Sequence, residues 1–466
     1  MKKISYILCF SLCALIFLSC GSDDEMMVDD DGISTDDDGT GTDGDDPDPT
    51  DFEGTLDFVL TFGGSELDEA VGIVEANDGN YVILGSTKST DGDLVGRTGN
   101  DYDYWLLKTT PEGQKLWSQT YGGSLDDRAS SISKTSDGGF LLSGYTRSTD
   151  GDLTGQNNGF HDFWIVKVNS QGDLVWDQTF GFAGSDQAFT AFETSDGGFF
   201  TSGFFDVDQA NGGGNDDRAS RHGVGEFWAI KMDASGEWVW RRFFGGFNND
   251  RSYDAVETQD GGFLVTGASE SNDFDITDPK GSYDFWIVQI DATGNLVWEK
   301  SYGGSGIEEC NSVVRTSDGN YILAGDTRST DQDVTNPKGN ADAWLIKINA
   351  TNGGIIWQKT FGGPEFDSAE NITAISENRY LVAATTRSAS GDISVSNGKN
   401  DAWAFIISEE GTIEFEIAVG GSELDFGHQA IETIDNKIVL VGNTESTDGN
   451  ISLNRGRKDL MLIKIK

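Results

Sequence analysis

Residues 115–180 read KLWSQTYGGSLDDRASSISKTSDGGFLLSGYTRSTDGDLTGQNNGFHDFWIVKVNSQGDLVWDQTF. The double glycine in this stretch, Gly122-Gly123, recurs as Gly63-Gly64, Gly245-Gly246, Gly303-Gly304, Gly362-Gly363 and Gly420-Gly421. A degraded version, Gly181-Phe182-Ala183-Gly184, fills the one gap, so successive steps lie 59, 59, 64, 58, 59 and 58 residues apart and mark seven copies. A fixed period of this length means that each copy is one supersecondary unit, which must stack on its neighbours to bury an apolar face.

Within the quoted copy, four short runs rich in β-branched and aromatic residues (129–135, 140–146, 162–169 and 174–180) are bounded by Gly, Asp and Ser. They read as strands. Asp137-Gly138 joins the first two, and the step recurs at Asp78-Gly79, Asp196-Gly197, Asp260-Gly261 and Asp318-Gly319. Asp-Gly between apolar runs is a hairpin signal, with both central residues expected at positive φ. The third run, Phe163-Trp164-Ile165-Val166, is apolar without alternation, as in a strand buried on both faces. Seven four-stranded copies define an all-β fold, a seven-bladed β-propeller, over residues 54–466. The repeat opens on a lone fourth strand, 56–62, and closes on a lone third strand, 460–465. The N-terminal strand is therefore expected to complete the last blade and close the ring, leaving no open edge.

The segment Asp291-Ala292-Thr293-Gly294-Asn295-Leu296-Val297-Trp298 resembles the tryptophan-docking motif of quinoprotein-like propellers. Trp117, Trp176, Trp240 and Trp357 occupy the equivalent position in four other copies, and Phe58 and Phe415 in the remaining two. The resemblance implies that these aromatic residues pack between blades and are structural. Pyrroloquinoline quinone enzymes of that family usually have eight blades, and many carry an adjacent cysteine pair against the cofactor. This chain has seven copies and no such pair, so no quinone cofactor is expected. A second series, Trp105, Trp164, Trp228, Trp286, Trp344 and Trp403, falls inside third strands and reads as core. The acids before these third strands, from Asp103 and Asp162 to Asp459, read as caps on turn backbone.

Residues 1–20, MKKISYILCFSLCALIFLSC, place two lysines before a short apolar run and read as a secretory signal, outside the fold. Phe17-Leu18-Ser19-Cys20 resembles the lipobox of bacterial lipoproteins, which implies cleavage before Cys20 and lipidation of that residue. Ser22-Asp23-Asp24-Glu25 resembles the acidic tag that sends some Gram-negative lipoproteins to the cell surface, so the expected location is the outer membrane, lipid-anchored and exposed. Residues 21–53 hold fifteen Asp or Glu and no Lys or Arg. Such a segment lacks the apolar surface to offset its ordering entropy and reads as a disordered tether. Cys9 and Cys13 fall in the signal, which leaves Cys310 as a small hydrophobe. A net charge of −47 argues against nucleic acid, whose backbone needs a basic surface.

The connection between second and third strands is long and acidic. Asp-x-Asp recurs there as Asp91/Asp93, Asp150/Asp152, Asp273/Asp275 and Asp331/Asp333. Copy three carries an insertion over residues 205–225 containing Asp216, Asp217, Arg218, Arg221 and His222. Together these residues form the candidate binding face, because loops on a rigid scaffold are where function concentrates. Calcium is the candidate cation at Asp150 and Asp152, though it takes six to eight oxygens. His161, His222 and His428 are scattered over three copies, unlike the gathered ligands or triads of zinc and acyl-transfer sites. The expected function is a binding or scaffold module for a glycan or protein partner, without catalysis. The alternative is an endoglucanase-like carbohydrate hydrolase, which needs two carboxyls about 5–10 Å apart in a cleft.

Overall fold

Among the described residues twenty-eight strands pair into seven antiparallel four-stranded sheets, six of them running in chain order from an inner to an outer strand. In the computed structural model residues 52–210, 223 and 225–466 are described. The signal, Cys20, nearly all of the acidic stretch, and Asp216, Asp217, Arg218, Arg221 and His222 lie outside the described residues. The blade of the quoted stretch consists of Asp127–Lys134, Phe140–Thr146, Asp162–Val168 and Leu174–Phe180. The last blade takes three strands from the end of the chain, Asp425–Glu432, Ile438–Thr444 and Asp459–Ile465. Its fourth is the N-terminal strand Leu56–Phe62, antiparallel to Asp459–Ile465, with Phe62 opposite Leu460. The ring closes as expected.

The apolar side chains explain why the blades stack. Third strands such as Asp162–Val168 are buried at every position, and their tryptophans have no exposure. Seven apolar clusters form among the described residues, and each spans one blade boundary. At the closing boundary Phe62, with Phe58 and Leu60, packs with Leu460 and Leu462 of the last blade and Ile83 and Trp105 of the first. The N-terminal strand therefore supplies core as well as hydrogen bonds.

The aromatic residue of each outer strand sits on a turn glycine of the next blade. A Cβ on Gly172 would lie 3.0 Å from Trp117, one on Gly236 3.1 Å from Trp176, and one on Gly294 2.9 Å from Trp240. Gly353 and Gly411 face Trp298 and Trp357 in the same way, and Gly113 and Gly54 face Phe58 and Phe415. All seven glycines have positive φ, so the position is closed to side chains twice over, by conformation and by the indole.

The Asp-Gly hairpins differ from expectation. In the turn after Asp127–Lys134 only Gly138 has positive φ, and Asp137 does not. Gly138 N donates to Thr135 O (2.9 Å) and Thr135 N to Gly139 O (3.0 Å), a three-residue loop in which a type I turn precedes a left-handed glycine. Asp137 favours this form because its Oδ1 accepts from Thr135 Oγ1 (2.6 Å) and Gly139 N (2.9 Å). Lys167 Nζ adds an ion pair at 2.9 Å.

Candidate functional site

The acidic connections form one repeated network at each blade boundary. In the quoted copy, Ser124 N donates to Asp150 Oδ1 (2.8 Å) and Gly122 N to Asp152 Oδ2 (3.1 Å). Asp127, fully buried, accepts from Gly123 N (2.8 Å), Ser148 Oγ (2.8 Å) and Thr146 Oγ1 (2.5 Å). The same bonds recur from Asp91 and Asp93 to Ser65 N and Gly63 N, and from Asp331 and Asp333 to Ser305 N and Gly303 N. Asp273 and Asp275 likewise take Phe247 N and Gly245 N. The Asp-x-Asp carboxylates thus staple the inter-blade connection to the loop beside it. Among the described residues, no three His, Cys, Asp or Glu side chains converge where a metal could sit.

Beneath this network each boundary buries a pair of acids, one at the start of a third strand and one at the start of the next blade. A Cβ on Gly303 would lie 2.6 Å from Asp284 Oδ1 and 2.5 Å from Glu308 Oε2, which puts those two oxygens within about 5 Å of each other. Asp103 faces Asp127, Asp401 faces Asp425 and Asp459 faces Asp68 across the equivalent glycines. The third-strand acid uses one oxygen on backbone: Asp162 takes Asn158 N (2.7 Å), Asp342 Lys338 N (2.7 Å) and Asp459 Arg455 N (2.8 Å). The other oxygen of each is buried without a hydrogen-bond partner. Burial pushes Asp103 up to about 7, with Asp127 adding to it, and Asp186 up to about 7, with Asp162 adding to it. Burial also raises Asp162, Asp284 and Asp459 to about 6. Charge in these pairs is costly, and burial raises the third-strand acid above the usual carboxylate range even where Arg97 pairs with Asp103.

The centre of the ring is a different environment. Every inner strand carries a β-bulge at the same register, between Ala70 and Gly72, Ala129 and Ser131, Ala188 and Thr190, and so on round the ring. The residue before each bulge is small (Ala70, Ala129, Ala188, Ser252, Cys310, Ala369, Gly427) because it faces a glycine or alanine of the second strand, as Cys310 faces Gly325. Cys310 is free and buried. In several copies the residue after the bulge ties blade to blade. Gln429 Oε1 accepts from Ile73 N (2.7 Å), Ser131 Oγ from Ala191 N (3.3 Å) and Asp254 Oδ2 from Val313 N (3.0 Å).

The bulged residues themselves are Val71, Ser130, Phe189, Tyr253, Asn311, Glu370 and His428, and all seven line one central channel. Its inner part encloses about 350 Å³ and its mouth about 480 Å³. Seven equivalent positions carry seven different residue types. One wall is aromatic, with Phe189 and Tyr253 edge to face at 5.1 Å. Burial lowers His428 to about 4, so it is neutral, and Asn443 Nδ2 lies 2.8 Å from its Nε2. Glu69 at the rim is neutralised by Lys458 (3.2 Å) and Arg128 (3.5 Å). Glu370 has no ion pair among the described residues. Burial raises it to about 7 against a Ser368 hydroxyl, and Glu309 raises it further. The sequence carries a signal for this ring in the column after the small inner-strand residue, where all seven copies differ.

No protein-family model matches the sequence, and no curated protein sequence does. Solved structures are similar at low identity. A protein of unknown function from Dyadobacter fermentans covers 88% of this chain and 99% of its own, at 13% identity and a TM-score of 0.44. The WD40 domain of Neurospora crassa Pan2 covers 87% and 95%, at 9% identity and 0.47. Quinohemoprotein alcohol dehydrogenase from Comamonas testosteroni covers 88% and 76%, at 9% identity and 0.41. At such identities the likeness is one of fold, and the strand pairing defines the class by itself: a seven-bladed β-propeller.

Proposed function

We propose that this propeller is a lipid-anchored module at the outer-membrane surface that binds a glycan or protein partner at its central channel and does no chemistry on it. One observation carries the reading. The seven bulge residues differ in every copy, and all of them line one cavity. Divergence at equivalent, solvent-accessible positions breaks the symmetry, as an asymmetric ligand requires. A glycan array read with the native chain and with Phe189→Ala/Tyr253→Ala tests it. The expected result is a set of hits lost in the double variant, with no reducing ends released from polysaccharides. Hits indifferent to the double variant sink the channel reading, and released reducing ends give the endoglucanase-like alternative. Anchoring rests on the lipobox-like sequence before Cys20. Cys20→Ser should move the protein out of the membrane fraction, since acyl chains contribute about 0.8 kcal/mol per buried methylene. Replacing Asp23, Asp24 and Glu25 with alanine should keep it there but shield it from external protease.

A further inference from the structure

Resting on the channel reading, we propose that the group recognised in the channel is a small organic cation, an ammonium carried on an apolar or sugar body. Of the carboxyls at blades five and six, Glu370 lines the channel, while Glu309 and Asp326 are not among its lining residues. Glu370 sits on the bulge of one inner strand, Glu309 two residues before the bulge of its neighbour, and Asp326 directly opposite Glu309 on the second strand. The three interact electrostatically. Asp326 is 3% exposed, and its Oδ2 has no hydrogen-bond partner; the nearest cation, Arg328 Nε, is 3.9 Å away and itself largely in solvent. Its Oδ1 takes only a long bond from Ser368 Oγ, at 3.4 Å. At the equivalent place in other blades, Ser86 and Asn443 accept a backbone N–H of the next blade at 3.0 and 2.7 Å. Here a carboxyl replaces the hydroxyl or amide and takes a long bond from a hydroxyl instead of a backbone N–H.

Arg328 lies 3.9 Å from Asp326 and Arg251 acts on the Tyr253 ring, and among the described residues no cation pairs with Glu370. Asp254 is engaged by Ser312 Oγ, Val313 N and Ala255 N, His428 is neutral, and Lys458 is engaged with Glu69. The Tyr253 ring, which feels Glu309 and Asp326, lines the same cavity as Glu370, with Phe189 beside it. A carboxyl group and aromatic faces around one cavity are the combination that holds an ammonium, by charge and by the ring quadrupole. Burial raises Glu370, so an ammonium bound beside it should displace protons from it.

Calorimetry on the full-length protein tests this with three matched pairs: glucosamine and glucose, phenethylamine and 2-phenylethanol, choline and 3,3-dimethylbutan-1-ol. At least one amine should bind ten or more times tighter than its neutral twin. Its enthalpy at pH 7.5 should change with the ionisation heat of the buffer, reporting proton release. Glu370→Gln should abolish the tenfold preference with an unchanged melting temperature; if that variant melts early, Tyr253→Leu serves as the second test of the same loss. No preference in any pair, or a preference that survives Glu370→Gln, overturns the cation. Array hits that need Phe189 and Tyr253 but ignore charge would leave the channel reading standing while the cation falls.

Discussion

At the scale of single residues, the repeat is a record of positions where nothing else fits. Gly303 lies between Asp284 and Glu308, and Gly304 against Ser329 and Asp331; the double glycine is the space those side chains need. Gly303→Ala should therefore cost about 1–3 kcal/mol by overpacking, and less in a chain where Asp284→Ala has removed the crowding carboxyl. Urea unfolding of the native chain, the two single variants and the double variant would measure this, and strict additivity would deny the contact. Trp240 is buried, covers Gly294 of the next blade and donates from Nε1 to Ala292 O at 3.1 Å. Trp240→Ala should lose about 3–5 kcal/mol, the usual range for a buried aromatic truncated to alanine. A loss under 1 kcal/mol would mean that the inter-blade seat contributes little.

At the scale of elements, strands and their order were legible because apolar runs and turn residues recur with fixed spacing. The Asp-Gly turns were legible as turns but not as to type, since Asp137's bonds to Thr135 and Gly139 select the three-residue form. The inner-strand bulges were not legible: a bulge adds one residue to an already irregular run, and Ser130 or Asn311 looks like any polar residue of a half-exposed strand. The acidic loops were visible, yet the sequence could not say that Asp150 and Asp152 spend themselves on backbone N–H groups. Asp150→Ala/Asp152→Ala should lower the melting temperature by a few degrees by freeing Ser124 N and Gly122 N. Calcium and magnesium at equal ionic strength should shift the native protein alike, and a saturable, calcium-only rise would instead establish a chelating site. Closure is the largest element effect. Deleting residues 54–62 removes Phe58, Leu60 and Phe62, each worth roughly 1.5–3 kcal/mol when buried, and should cost several kcal/mol; a truncated chain that melts at the native temperature would contradict the strand's place in the core.

At the scale of the whole molecule, the buried acid pairs repeat at every boundary, so their titration adds up in stability. In the folded state Asp103 and Asp186 rise to about 7 and Asp162, Asp250, Asp284 and Asp459 to about 6, whereas the unfolded values lie near 3.9. Between about pH 4 and 7 the folded chain therefore binds more protons than the unfolded one, and stability falls as pH rises through that window. Asp137 and Asp196, lowered to about 2, act oppositely, but their contribution is complete above about pH 4 and lost only below it. The net charge of −47 also favours the acid side of neutrality, through repulsion between exposed carboxylates. Salt separates the two causes, because a Debye length of about 3 Å at 1 M screens surface charge and leaves buried pairs nearly untouched. The melting temperature should be higher at pH 5.5 than at pH 8, and much of the gap should persist in 1 M sodium chloride. Asp162→Asn puts an uncharged amide in place of a carboxyl that burial raises to about 6, so its gap should be narrower, with stability at pH 8 equal to or above the native protein's. A melting temperature that rises with pH, or a gap that vanishes in salt, would mean that the pairs ionise at little cost and that repulsion alone shapes the curve.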